Sequence, residues 1–363
     1  MKKLKLLIIC LFILSHYELL AQEEASEKGL LEISGSADIY YKYDFSGEAN
    51  VPTSFASDQN SFSIGMLNLI LSKEMGKFSF VGDVSLGPRS AQSLPPYSAE
   101  GVSDPSFNIQ NLYVSYALSE KVSVTAGYMG TFVGYEVISP VDNFNYSTSY
   151  LFSYGPFQNA GLKFDFSISE NVAFMVGVFN DWNLYSQNGN DISSIGAQLF
   201  LSPVNGWEAY FNFITGDSDG TEFDLTTTYQ ISDKLKLGLN AASWNNGEDG
   251  DMESKFSGVA LYTNYAFTDA FALGLRGEKF STEGSGYIGF VRDTGVDTGV
   301  PSFTGTEAED VTSFTITGNI GSGPLKLIPE LRLDSADKEV FIDADGQASK
   351  SAMQFLLAAV FSF

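Results

Sequence analysis

A two-residue alternation of apolar and polar side chains organises this chain from residue 31 onward. In the first such segment Ile33, Gly35, Ala37, Ile39, Tyr41, Tyr43 and Phe45 share one face, and Glu32, Ser34, Ser36, Asp38, Tyr40, Lys42 and Asp44 the other. Successive side chains of a strand point to opposite sides, so this is a strand with one face for an apolar medium and one for water. The pattern returns at 78–86, 122–128, 223–231, 314–320 and 325–334. Pro329 in the last of these predicts a bulge or one missing ladder bond, because it has no N–H to donate.

Extending the pattern predicts strands at 31–45, 61–72, 77–87, 107–118, 121–128, 160–167, 172–179 and 194–201. It continues at 207–214, 222–231, 235–244, 256–267, 271–280, 312–320, 324–334 and 351–363. Links of two to five residues, such as 73–76, 119–120 and 321–323, alternate with long polar ones at 46–60, 88–106, 129–159, 180–193, 215–221, 245–255, 281–311 and 335–350. Sixteen strands with links sorted in this way predict an all-β fold, a transmembrane antiparallel barrel with short periplasmic turns and long extracellular loops. A soluble sandwich has no reason to sort its links. Residues 285–291 alternate weakly, which leaves fourteen or eighteen strands open. In the final segment Phe355, Leu357, Ala359, Phe361 and Phe363 share a face, and pairing with the first strand removes the exposed edge.

The first residues are of another kind. Lys2, Lys3 and Lys5 precede an apolar run from Leu6 to Leu14, which breaks up toward Ala21. That run is shorter than the roughly 20 residues of a membrane helix and has the layout of a secretion signal. The expected organisation is a removed signal at 1–21, a short lead at 22–30 and a barrel at 31–363. The lead is too short for a plug domain.

Composition narrows the chemistry. The signal carries the only Cys, the only His, three of the 20 basic residues and one of the 44 acidic ones, which leaves 17 basic and 43 acidic. Without histidine or cysteine the mature chain has no Ser-His-Asp triad, no Cys-His pair and no His or Cys metal site. The reading is therefore of a protein that is not an enzyme and needs no cofactor or metal. The acidity also disfavours nucleic acid as a partner. Acidic runs at 217–219, 248–251 and 343–345 lack the spacing of a calcium loop and read as acidic turns, or as loose divalent bridges to lipopolysaccharide.

Charge on the polar faces is densest in the late strands. Arg276 and Glu278 share one face, as do Lys326, Glu330, Arg332 and Asp334. Such residues either line a pore and select permeants by charge or form ion pairs that hold a wet wall together. Asp38, Lys42 and Asp83 have weaker claims. The long link 129–159 holds Phe132, Tyr135, Phe144, Tyr146, Tyr150, Phe152, Tyr154 and Phe157, too many rings to lie bare in water. It is expected to enter the lumen as a constriction with Glu136 and Asp142 as acidic gate residues, to cap the rim as a lid, or to contact another protein. Tyr40, Tyr41, Tyr43, Trp182, Trp207 and Trp244 fall near predicted strand ends, and those on the outer face suit aromatic girdles, whereas the parity of Trp244 puts it on the polar side.

The same link carries G-Y-E at Gly134 to Glu136, N-F-N-Y at Asn143 to Tyr146 and S-Y-L-F-S-Y-G-P-F at Ser149 to Phe157. With S-G-S-A-D-I-Y-Y-K-Y-D-F at Ser34 to Phe45 and P-E-L-R-L-D at Pro329 to Asp334, it resembles the OmpL-like β-barrel porins of Bacteroidetes-type outer membranes. Phe144 stands where similar members have Trp, and Asn180-Asp181-Trp182 where they have N-G-W; both departures keep the aromatic character. The resemblance implies an outer-membrane channel and leaves the permeant open. The leading expectation is passive diffusion of small hydrophilic solutes with a modest preference for cations. The alternative is a binding or structural barrel with a blocked lumen. Expected partners are outer-membrane lipid and lipopolysaccharide, the barrel assembly machinery during biogenesis, and two further copies if the barrel is a homo-trimer.

Overall fold

The computed structural model describes residues 29–51, 53–92, 107–186, 192–217, 219–248, 253–284 and 309–363. The signal at 1–21, most of the lead and the weak alternation at 285–291 lie outside them. Sixteen strands form one closed antiparallel barrel, as the alternation predicted. The first eight are β1 (Glu32–Asp44), β2 (Ser61–Met75), β3 (Phe78–Leu86), β4 (Phe107–Ser119), β5 (Val122–Gly130), β6 (Gln158–Ser169), β7 (Val172–Phe179) and β8 (Ser194–Val204). Then come β9 (Trp207–Gly216), β10 (Gly220–Gln230), β11 (Leu235–Asn245), β12 (Ser254–Thr268), β13 (Phe271–Gly284), β14 (Glu309–Ser322) and β15 (Leu325–Ala336). A two-residue hairpin of β16 (Phe341–Ile342) and β17 (Ala348–Ser349) sits in the last long link, before β18 (Ser351–Ser362) completes the wall.

β13 and β14 rise beyond the alternating segments, since their ladder continues to Thr282 opposite Glu309. Above the apolar band a strand needs no apolar face, so periodicity marks where the band ends rather than where the pairing ends. Gly35 and Phe363 exchange both main-chain hydrogen bonds at 3.0 Å and close the ring between β1 and β18. Pro329 keeps its place opposite Leu357 of β18, while pairing with β14 is interrupted between Glu330 and Leu327 without a change of register. The missing-bond reading of the proline holds.

The wall is apolar outside and polar inside. Phe62 is 89% exposed and Ile33 59%, whereas Ser36, Asp38, Lys42 and Asp44 on the other face are all buried. Along β15, Leu325, Leu327, Leu331 and Leu333 are exposed while Glu330, Arg332 and Asp334 are buried. In water this inversion would be ruinous; in a bilayer the outer face meets lipid and closure leaves no backbone group unpaired. Among the described residues no helix is long and apolar enough to cross a membrane. The strands are the crossing elements.

A loop-filled lumen as the candidate functional site

Between β5 and β6 the chain turns inward and residues 131–157 occupy the lumen. Wall glycines make room for it. Phe132 lies over Gly196 of β8, Tyr135 over Gly238 of β11, Phe144 over Gly274 of β13 and Leu151 over Gly258 of β12; a methyl group at the first three would overlap the ring above it, and at Gly258 it would press on Leu151 at 3.0 Å. Tyr135 also stacks on Tyr262 of β12, with ring centroids 4.3 Å apart and planes at 19°. The loop's rings thus find their apolar surroundings inside the barrel.

Its main chain is held by charge. Ser149 caps the five-residue helix Tyr150–Tyr154, its hydroxyl accepting from Phe152 N–H. At that helix start Glu278 of β13 accepts Tyr150 N–H at 2.9 Å and Leu151 N–H at 2.8 Å. Two strands along the wall, Glu330 accepts Tyr146 N–H at 3.0 Å and Ser147 N–H at 3.2 Å. Arg276, with no exposure at all, donates at 2.7 Å both to Glu136 and to Ser147 O. Arg332 grips Asp334 through two bonds, at 2.8 and 3.0 Å, and donates to Thr148 O at 2.8 Å. Charge-assisted bonds in so dry a setting fix the loop far more firmly than neutral ones would. Burial holds the hydroxyls of Tyr146 and Tyr150 well above the ordinary phenol range, so both stay protonated and donate to Asp38 and Asp334.

Asp38 lies opposite a bulge in β2, where Gly65 and Met66 together face it between the pairs Ala37–Leu67 and Ile39–Ile64, and its carboxylate accepts Met66 N–H at 2.9 Å. The carboxylate fills the side-chain position of Gly65. Beside it Arg89, from the helix Pro88–Gln92 after β3, lies between the rings of Phe55 and Tyr146 at 4.8 and 4.6 Å. Arg89 donates to Ile138 O at 3.2 Å and so joins three long links at one point. Phe55 and Ala56 are both left-handed, with φ of 70° and 51°, and such residues cost about 1–3 kcal/mol each unless their surroundings enforce them. Here the Phe55 ring packs on Phe152, Phe157 and Arg89.

Below the loop a cavity of about 710 Å³ is lined by side chains at the short-turn ends of the strands. Glu136, Asp142 and Lys326 line it, with Glu208, Asp233, Lys234, Lys236 and several amide and hydroxyl groups. The other candidates, Arg276, Glu278, Glu330, Arg332 and Asp334, are buried between loop and wall. Their geometry makes them the loop's mount, because their bonds go to the loop, to one another and to neighbouring Thr53, Thr315 and Thr317 rather than to open water. Asp83 meets Asn68 and Asn111, and Lys42 donates to Ser57 O at 3.0 Å. Arg89 and Asp224 were not singled out from the sequence. Asp224 accepts Gly134 N–H at 3.1 Å, and only its inward parity on β10 marked it. Trp244 turns inward as its parity required, and stacks on Phe256 with centroids 5.5 Å apart. Trp182 joins that inner cluster, while Trp207 stays on the surface.

Comparison with known proteins agrees with this architecture. The family model described as "Putative beta-barrel porin-2, OmpL-like" matches residues 30–363. No curated protein matches the chain. Among solved structures, the outer membrane channel DcaP of Acinetobacter baumannii superposes with a TM-score of 0.60 at 14% identity, over 94% of this chain and 99% of that one. The anion-selective porin of Comamonas acidovorans gives 0.59 at 12% identity, over 93% of this chain and all of that one. The trimer form of OmpT of Vibrio cholerae gives 0.57 at 11% identity with the same coverages. At such identities the likeness is one of fold.

Proposed function

Since this chain belongs to the OmpL-like beta-barrel porin-2 family, we propose that it is an outer-membrane channel through which small hydrophilic solutes diffuse passively. One observation carries the reading: a wall that is apolar outside encloses a polar cavity of about 710 Å³, and a loop fixed inside the lumen limits that cavity. In this reading the loop sets the size of what passes, with Glu136 and Asp142, which line the cavity, as its acidic gate residues. The proposal includes removal of the signal 1–21, assembly by the barrel machinery into a Bacteroidetes-type outer membrane, and lipopolysaccharide around the outer rim. It includes no catalytic activity and no cofactor. A homo-trimer, the form named for the OmpT structure, is tested by native mass in mild detergent.

We further propose modest cation preference. The mature chain's excess of acids lies largely in the long links, and charge at a mouth concentrates counter-ions within about one Debye length, roughly 10 Å at 0.1 M salt. Carboxylates already engaged by arginines and main-chain N–H groups add less. Purified protein in planar bilayers is expected to give discrete conductance steps, with a cation-selective reversal potential in a potassium chloride gradient that fades as salt rises. Anion selectivity at both low and high salt would refute the preference. Stable insertion without steps would favour the second reading, a binding barrel with a blocked lumen, which the near-complete burial of the loop's polar contacts supports.

A further inference from the structure

The inward face of β10 carries two acids with no ion pair among the described residues, Glu222 and Asp224. Glu222 is 2% exposed and its Oε2 has no hydrogen-bond partner. Asp224, two residues along the same face and so roughly 6.6 Å away, accepts from the side-chain amides of Asn212, at 2.6 Å, and Asn240 and from Gly134 N–H. Those donors are neutral. They satisfy the oxygens of Asp224 and leave its charge uncompensated. Arg276 and Arg332 stand three and five strands away along the wall. Two buried carboxylates without a counter-charge are among the costliest arrangements a protein interior can hold.

Over Glu222 lies Gly155, the residue that ends the loop helix. A Cβ there would stand 3.6 Å from Glu222 Oε1, 3.9 Å from Glu222 Oε2 and 3.6 Å from Leu151 O. The backbone of Gly155, at φ −79° and ψ 175°, is open to any residue, so its conformation does not demand glycine. What glycine supplies is a side-chain position within van der Waals reach of three oxygens, the two of the Glu222 carboxylate and Leu151 O, which also accepts Gly155 N–H at 3.2 Å. Hard cations take all-oxygen surroundings of this kind.

We propose that this space is a binding site for a hard divalent cation of the calcium type, ligated by the Glu222 carboxylate and Leu151 O, with Asp224 supplying the second neutralising charge through water. Among the described residues no three His, Cys, Asp or Glu side chains stand where they jointly hold a metal ion, so the site relies on main-chain oxygen and water. Its affinity falls in the weak class of about 10⁻⁴–10⁻³ M. The site links loop to wall on strands β9 to β11, which carry no arginine, and it stands whether or not the lumen conducts.

Trp244 is the cross-strand register partner of Glu222, which gives the site its own reporter. The purified barrel in detergent is titrated with terbium under tryptophan excitation, and calcium or potassium is then added. A saturable luminescence displaced by millimolar calcium but not by equal potassium is expected. Glu222→Gln keeps the side-chain volume and is expected to abolish that component. Gly155→Ala, whose methyl occupies the space without straining the backbone, weakens it about 10-fold or more. Trp244→Phe dims it while calorimetric calcium affinity is retained, which separates the site from terbium held by surface acids. The proposal is overturned by a wild-type barrel with no calcium-displaceable signal, by equal displacement with potassium, or by wild-type calcium affinity in Gly155→Ala or Glu222→Gln.

Discussion

Replacing Glu278 by Gln tests the mount of the lumen loop with the least change of shape. The carboxylate gives one oxygen to Tyr150 N–H and the other to Leu151 N–H, at 2.9 and 2.8 Å, and the side chain is almost fully buried. An amide has one oxygen and one NH₂. In either orientation, therefore, one of the two main-chain donors faces another donor. A hydrogen bond to a charged group contributes about 1.5–3 kcal/mol, and a buried donor left unmet costs about 1–3 kcal/mol, two figures that overlap in what they count. Taking about 3 kcal/mol together, and a factor of ten for each 1.4 kcal/mol, opening of the segment becomes roughly 100-fold more frequent. Hydrogen exchange of the detergent-solubilised barrel, read by mass spectrometry, is expected to show that rise in the peptide spanning 146–155. Exchange in β13 itself should stay slow, because its ladder to β12 and β14 does not involve the side chain. Wild-type exchange at Tyr150 and Leu151 would refute the assignment of Glu278 as a mount. Loss of protection throughout the barrel would show that loop and wall open as one unit, and would refute the separation assumed here.

The glycine beneath Phe144 gives a second test. Gly274→Ala places a methyl group against that ring and 2.7 Å from Asn264 Oδ1, an overpacking expected to cost about 1–3 kcal/mol; adding Phe144→Ala should recover part of the loss, and strictly additive melting shifts would sink the socket reading. A third test concerns Asp219, between β9 and β10, whose carboxyl is pushed up to about 7 chiefly by burial, against the opposing hydrogen bond from Trp182 N–H. Because the folded form holds its proton to higher pH than the unfolded form, with its ordinary value of 3.8, this residue's contribution to stability is full below about pH 4 and declines as pH rises to about 7. Melting at pH 5 and pH 8 should therefore differ more in the wild type than in Asp219→Asn, and an unchanged difference would count against it.

Periodicity made the wall legible because a strand with lipid on one side and polar side chains on the other must alternate, as β1 and β15 do over their full apolar height. It did not show how far β13 and β14 rise above the bilayer, where no apolar face is required. The candidate site was legible in its residue types and not in its connections. Arg276, Glu278, Glu330, Arg332 and Asp334 stood out as charges on inward faces, but parity cannot tell a side chain facing water from one facing a loop. Glu136 and the rings of 131–157 marked the loop as something other than a solvated link. Arg89 escaped notice because it lies in a link without periodicity, although the chain has only four arginines and the three that the structure describes all converge inside the barrel. That scarcity was the available clue, since a planar five-donor group is what a dry network of carbonyls and carboxylates calls for.

The bonds that carry the loop go mostly to its main chain: Glu278, Glu330 and Asp224 receive peptide N–H groups, and Arg276 and Arg332 reach peptide oxygens. Every amino acid but proline offers the same two groups. The wall therefore reads the path of the loop and is indifferent to many of the side chains along it. Asp142, exposed to the cavity, takes no part in those bonds. Such positions can diverge between related barrels, or be randomised in a library, with the scaffold unaware of the change, so that a new permeant calls for new side chains on an old mounting rather than a new barrel.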